Sequence, residues 1–142
     1  FDKNSDEFVI HTPNIRATKF WPGGLGKHST HAVVMARLIL DGQAFGTLPF
    51  MVPIRSRVDH TVYPGVELGD VGTKLGYNSV DNGYLSFTHY RVPKISLLSR
   101  FVSVSREGEF ELLGDPRAVY QIMVITRMMI IMGCSLVLQN AV

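Results

Sequence analysis

The chain has a single cysteine, Cys134, among its 142 residues. No intrachain disulfide can form, and a reducing or redox-neutral compartment suits such a chain. A lone Cys in an apolar run more often acts as a small buried hydrophobe than as a nucleophile. Charge is also sparse: charged residues make up 18% of the chain, and 14 Lys and Arg against 12 Asp and Glu give a net charge of +2. The basic residues are scattered singly, with Arg55 and Arg57 the nearest thing to a cluster. That pattern lacks the basic face that tracks a phosphate backbone, so no nucleic-acid partner is expected. The first residue is Phe1, and no basic-then-apolar signal stretch follows it. The last residues, Gln139-Asn140-Ala141-Val142, read as the middle of a helix. Both ends are expected to be cuts in a longer chain. Repeats and low-complexity segments are absent.

What is present is a core. Hydrophobic residues make up 46% of the chain, enough for one packed domain and too many for disorder. Up to residue 113 the pattern is of short strands between Gly, Pro, Asn and Asp turns. Phe8 to Ile10 and Ile15 to Phe20 bracket the turn-prone Thr12-Pro13-Asn14. His31 to Leu40 is nearly continuous and apolar, and Asp41-Gly42 turns it into a partner strand, Phe45 to Val52. Pro49 places that partner at an edge or a bulge. Tyr84 to Phe87 alternates clearly behind Asp81-Asn82-Gly83, and Phe101 to Val104 with Phe110 to Leu113 forms a further hairpin. Many short strands at this spacing predict a sandwich or a barrel.

The character changes at Asp115-Pro116. An Asp N-cap accepts orphan N–H groups of a helix, and Pro at the first helical position lacks one. From Val119 onward, Ile122, Met123, Ile125, Met129, Ile130, Gly133, Leu136 and Val137 cover more than one face, which predicts a largely buried helix. A membrane span needs about 20 apolar residues, and Arg127 interrupts this stretch at a cost of roughly 2.5–3.5 kcal/mol. A bundle helix is therefore expected, with no membrane partner.

The segment with chemical content is Lys19-Phe20-Trp21-Pro22-Gly23-Gly24-Leu25-Gly26-Lys27, with the only Trp of the chain. By itself a Gly-rich turn is a weak signal. It is not a phosphate loop, because the G-x-x-x-x-G-K-[ST] spacing is missing and no helix follows it.

Taken with its neighbours, the segment is more specific. Glu7 to Pro13, Trp21 to Lys27, Ser29 to Val34, Phe50 to Arg55, Pro64 to Val66, Gly69 to Gly76, Asp81 to Leu85 and Tyr90 to Pro93 together resemble the peroxisomal acyl-CoA oxidase family. The similarity covers nearly the whole chain and is weakest over residues 94–118. It implies a mainly β fold: the β-barrel-like middle domain of the acyl-CoA dehydrogenase/oxidase fold over residues 1–113, then the first helix of an α-helical bundle domain over 114–142. It also implies a peroxisomal enzyme that binds FAD between the two domains and oxidises fatty acyl-CoA to trans-2-enoyl-CoA. In that family a Glu of the helical domain takes the α proton, flavin N5 accepts the β hydride, and O2 reoxidises the flavin to give H2O2. A homodimer is the implied assembly.

The family's Trp-Pro-Gly-Gly turn lies against the isoalloxazine, which carries over to Gly23, Trp21 and Gly24 as cofactor-binding residues. A residue without Cβ permits close backbone approach to a flat ring. An aromatic neighbour adds about 0.5–1.5 kcal/mol beyond area burial. Related acyl-CoA dehydrogenases carry Trp-Ile-Thr in this place, so Pro22-Gly23 leaves a side chain missing beside the ring and room for dioxygen. Two departures stand out. The family's upstream Thr-Glu-x-Gly-x-Gly segment and its catalytic Glu are both outside this sequence, so no catalytic residue is assigned. Phe20 stands where many members have a second Trp. The alternatives are an acyl-CoA dehydrogenase that passes electrons to a flavoprotein and a non-catalytic flavin- or partner-binding piece.

Remaining candidates have structural explanations. His28 and His31 are three apart but have no Cys or carboxylate at ligand spacing, so no metal site is expected. Glu107, Glu109 and Glu111 read as a solvated face. Asp81-Asn82-Gly83 reads as a turn.

Overall fold

A computed structural model describes residues 1–115 and 117–140, with the side chains of residues 118–120 and 122 set aside. The order is β1 (Glu7–Ile10), β2 (Lys19–Gly23), β3 (His31–Leu40), β4 (Gln43–Pro53), β5 (Val66–Asp70), β6 (Asn82–Phe87), β7 (Tyr90–Pro93), β8 (Val102–Val104), β9 (Phe110–Leu112) and α1 (Arg117–Gln139). The chain is mainly β, as expected, with one helix at its end.

The strands form four antiparallel ladders: β1 with β7, β2-β6-β5, β3 with β4, and β8 with β9. Among the described residues these ladders do not join into a closed barrel, so the barrel-like expectation holds for strand content and not for closure. Proline contributes to this. β4 carries Pro49 opposite Met35 and Pro53 opposite His31, and neither can donate to a further ladder. β4 is an edge strand, touched on its outer side by a single bridge from Phe50 to Leu97. The bulge lies elsewhere: Arg37 pairs with Thr47 and Ile39 with Ala44, so the extra residue falls at Phe45-Gly46, where Gly46 has φ 88°. The β3–β4 hairpin turns through Asp41 and Gly42, both at positive φ, as a two-residue loop with strand-matching twist requires.

Alternation places the core. Val34, Leu38 and Leu40 of β3, Leu48, Phe50 and Val52 of β4, and Leu85 and Phe87 of β6 are buried in one cluster with Phe8, Ile54 and Val92. Each contributes about 1.5–3 kcal/mol by leaving water, so buried side chains are the main tie between the four small ladders, with Lys19 Nζ donating to the Met35 carbonyl (3.0 Å) and the Tyr90 hydroxyl to the Pro53 carbonyl (2.9 Å) across them. Two expectations are corrected. Ile15–Ala17 is a 3-10 turn capped by the Asn14 side chain, which accepts from the Arg16 N–H at 3.0 Å, and the strand starts only at Lys19. The described side chains of α1, Met128 to Met132 and Leu136 to Leu138 among them, are exposed rather than buried. Asp115 does cap α1, its Oδ1 accepting the Arg117 N–H at 2.9 Å. Pro116, Ala141 and Val142 lie outside the described residues. Among the described residues, no helix is long and apolar enough to cross a membrane.

Candidate cofactor site

The Trp21 segment begins as a strand and is deflected by a bulge. Phe20 pairs with Tyr84 and Gly23 with Asn82, so Trp21 and Pro22 together oppose Gly83. A bulge of this kind bends the strand and re-aims a side chain. Trp21 bears the distortion at φ 87°, an outlier for a bulky residue that costs about 1–3 kcal/mol. Its indole is 51% exposed and the neighbouring Phe20 ring 66% exposed, with ring centroids 6.3 Å apart. Lys74 Nζ stands 6.0 Å from the indole centroid. The result is an aromatic ledge facing solvent.

The glycines of the turn differ in what they answer to. At Gly26 a Cβ would meet the Asp70 backbone at 2.9 Å, and Gly24 has φ 73° with Ser29 Oγ at 3.0 Å from such a Cβ. Both glycines are required by the fold. Gly23 is different: nothing lies within 4 Å of a Cβ there, and its φ is not in the left-handed region. Among the described residues nothing calls for a glycine at 23, so the open space beside it suits an approaching flat ligand.

Behind the ledge the turn is held by residues that sequence reasoning assigned to other roles or passed over. Arg55 is 4% exposed, and its guanidinium donates to the carbonyls of Leu25 (3.1 Å), Ser29 (2.7 Å) and Gly26 (2.6 Å). Asp81 Oδ2 accepts the N–H groups of Lys27 (2.9 Å) and His28 (3.1 Å) and lies 2.9 Å from His28 Nδ1. Burial of the Asp81 carboxyl would by itself push its pKa up. The hydrogen bonds from the His28 ring and the two backbone amides outweigh it and hold the carboxyl below its ordinary value. Asn82 is 6% exposed, and its side-chain amide donates to the Trp21 carbonyl at 2.8 Å. Asp81-Asn82-Gly83 is therefore not an isolated turn. Asn82 and Gly83 open the central strand β6, and a Cβ at Gly83 would strike the Gly26 nitrogen. The only hint of this in the sequence was the isolated Asp-Asn-Gly next to a strand.

The histidines around the turn and the acids singled out in the sequence are accounted for. His28 faces Asp81, and His31 Nδ1 lies 3.1 Å from Thr30 Oγ1. The His60 Nε2–H donates to the Lys27 carbonyl at 2.7 Å. Asp70 accepts the Gly72 N–H at 2.7 Å and pairs with Lys27 at 3.4 Å. Glu107, Glu109 and Glu111 are exposed. Among the described residues no group of three or more His, Cys, Asp or Glu is placed to hold a metal.

No family model matches the chain. Individual proteins do. A peroxisomal acyl-coenzyme A oxidase 1 of Arabidopsis thaliana is 50% identical over 146 residues, covering 100% of this chain and 22% of the relative. An acyl-CoA oxidase of tomato, solved by X-ray crystallography, superposes with a TM-score of 0.88 at 48% identity, over 96% of this chain and 21% of its own. The acyl-CoA oxidase-1 of Caenorhabditis elegans, solved with FAD and ATP, gives a TM-score of 0.77 at 46% identity over 82% of this chain and 17% of its own. The chain thus spans about a fifth of the length of the curated relatives it matches. Identity near one half along its whole length, together with superposition of its strands, makes the chain similar throughout to one segment of the peroxisomal acyl-CoA oxidases.

Proposed function

We propose that the protein carrying this chain is a peroxisomal acyl-CoA oxidase, converting fatty acyl-CoA to trans-2-enoyl-CoA with O2 reduced to H2O2. In this reading residues 1–113 are part of the FAD and acyl-CoA site and residues 114–142 open a helical bundle. Trp21, Gly23 and Gly24 contact the cofactor, and the parent enzyme is a homodimer. The observation that carries the proposal is Gly23: a glycine the fold does not require, beside an exposed indole, on a turn fixed from behind. FAD, when bound, supplies the hydride acceptor. The chain's own residues bind and orient: Trp21 offers a flat apolar face, Gly23 leaves space, and Arg55 with Asp81 keeps the turn in register.

Acid–base chemistry is not offered by this turn. Its nearby carboxylates, Asp70 and Asp81, are engaged by Lys27, Gly72 and His28, so the proton acceptor of the reaction belongs to another part of the enzyme. That favours, as a second reading, a flavin-binding piece without chemistry of its own. The missing side chain at Gly23 argues for an oxidase rather than a dehydrogenase.

The test is direct. Gly23→Val fills the space that the fold leaves open and should lower the flavin-to-protein absorbance ratio of the purified enzyme several-fold. The fold should tolerate the change, since no contact within the chain is lost. Equal occupancy and equal turnover would remove Gly23 from the site.

A further inference from the structure

Trp21 is a bulky side chain on a left-handed backbone, and such a conformation persists only where the surroundings impose it. The bulge takes Trp21 out of the β2–β6 ladder, since pairing jumps from Phe20–Tyr84 to Gly23–Asn82. Its carbonyl must therefore find another donor, and the one it meets is the Asn82 side-chain amide at 2.8 Å. Asn82 is suited to impose a geometry. It is buried, it lies on the central strand of the three-stranded sheet, and its own carbonyl accepts the Val71 N–H at 3.0 Å. Because a carbonyl can only accept, the amide nitrogen must face Trp21, and an Asp of the same shape would present an acceptor to an acceptor.

We infer that Asn82 is a positioning residue: its amide holds Trp21 in the left-handed conformation and so fixes the indole that meets the flavin. This rests on the flavin reading of the Trp21 turn and assigns it a device for orienting the ring contact. A strand residue that locks an exposed aromatic is what a preorganised site needs behind its contact surface. Asp81 and Arg55 hold residues 25–29 of the turn, and the Asn82 side chain bonds to Trp21 itself.

Trp21 is the only Trp of the chain, so its fluorescence reports this position alone. In Asn82→Asp at about pH 9, above even the raised pKa of a buried carboxyl, the freed indole should be quenched more readily by acrylamide than in the wild type. Affinity for FAD, titrated by quenching of the same emission, should fall roughly tenfold, the upper size of one oriented aromatic contact. A buried carboxyl facing a carbonyl has a raised pKa, and once protonated it donates as the amide did. Near pH 5 both readouts of Asn82→Asp should therefore return toward wild-type values measured at the same pH. A general loss of packing would not be reversed by acid. Acrylamide quenching unchanged at both pH values would overturn the clamp, and altered quenching with unaltered FAD affinity would overturn its role at the flavin. Absence of FAD from the purified full-length enzyme would instead sink the flavin reading, while the acid-reversible quenching would still assign the clamp. Should Asn82→Asp not fold, the wild type decides by NMR. The Asn82 Nδ2 protons should exchange at least several-fold more slowly than free side-chain amides, and exchange at the free rate overturns the inference.

Discussion

Arg55 shows how much one side chain can carry in a small β fold. A guanidinium presents several donors in a fixed fork, and here three bonds converge on carbonyls of Leu25, Gly26 and Ser29. Removing it leaves inward-facing acceptors without partners, at about 1–3 kcal/mol for each group that water cannot reach. Arg55→Ala should therefore destabilise the chain by about 3 kcal/mol in urea unfolding, and Arg55→Lys should recover only part of that. A loss of about 0.5 kcal/mol or less, the usual scale of a surface change, would mean that the turn is held by other contacts. Asp81 adds a pH dependence of definite sign. Its folded carboxyl is held below its ordinary value, so its contribution is fully present above the unfolded pKa of about 3.9 and is lost as pH falls through the lower folded value. Asp81→Asn should lower stability at neutral pH and flatten the loss below about pH 4. An unchanged acid slope in that variant would place the acid-sensitive group elsewhere.

Among the elements, α1 stands apart from the ladders. Each of the four ladders sends apolar side chains into the shared core, while the described side chains of α1 remain in water. A contiguous apolar surface of this length is a liability in a soluble monomer. The 142-residue chain is expected to self-associate, and deleting residues 115–142 should yield a more soluble, monodisperse β unit by light scattering. A monodisperse monomer with the helix present would show that α1 folds back onto the sheets. The bulged strand β2 makes the complementary point. Its exposed aromatics are tied to the core through β6, so exposure there comes with support, whereas exposure in α1 comes without it.

For the molecule as a whole, the proposed oxidase chemistry can be tested at Gly23. If open space at this position lets dioxygen reach the reduced flavin, Gly23→Thr in a full-length oxidase should slow reoxidation selectively and change reduction by acyl-CoA less. Stopped-flow absorbance separates the two half-reactions. An unchanged oxygen step with collapsed reduction would make position 23 a determinant of flavin geometry alone. The sequence by itself determined the strand content, the Asp41-Gly42 hairpin, the Asp115 cap and the Trp21-Pro22-Gly23-Gly24 turn, because alternation, turn chemistry and capping are local and leave their mark within a few residues. The tertiary structure decided the rest. The failure of the ladders to close is not written in any local pattern, and Arg55 and Asn82 reach the Trp21 turn across 26 to 61 residues, a distance over which no local pattern of residue types specifies which side chain meets which carbonyl.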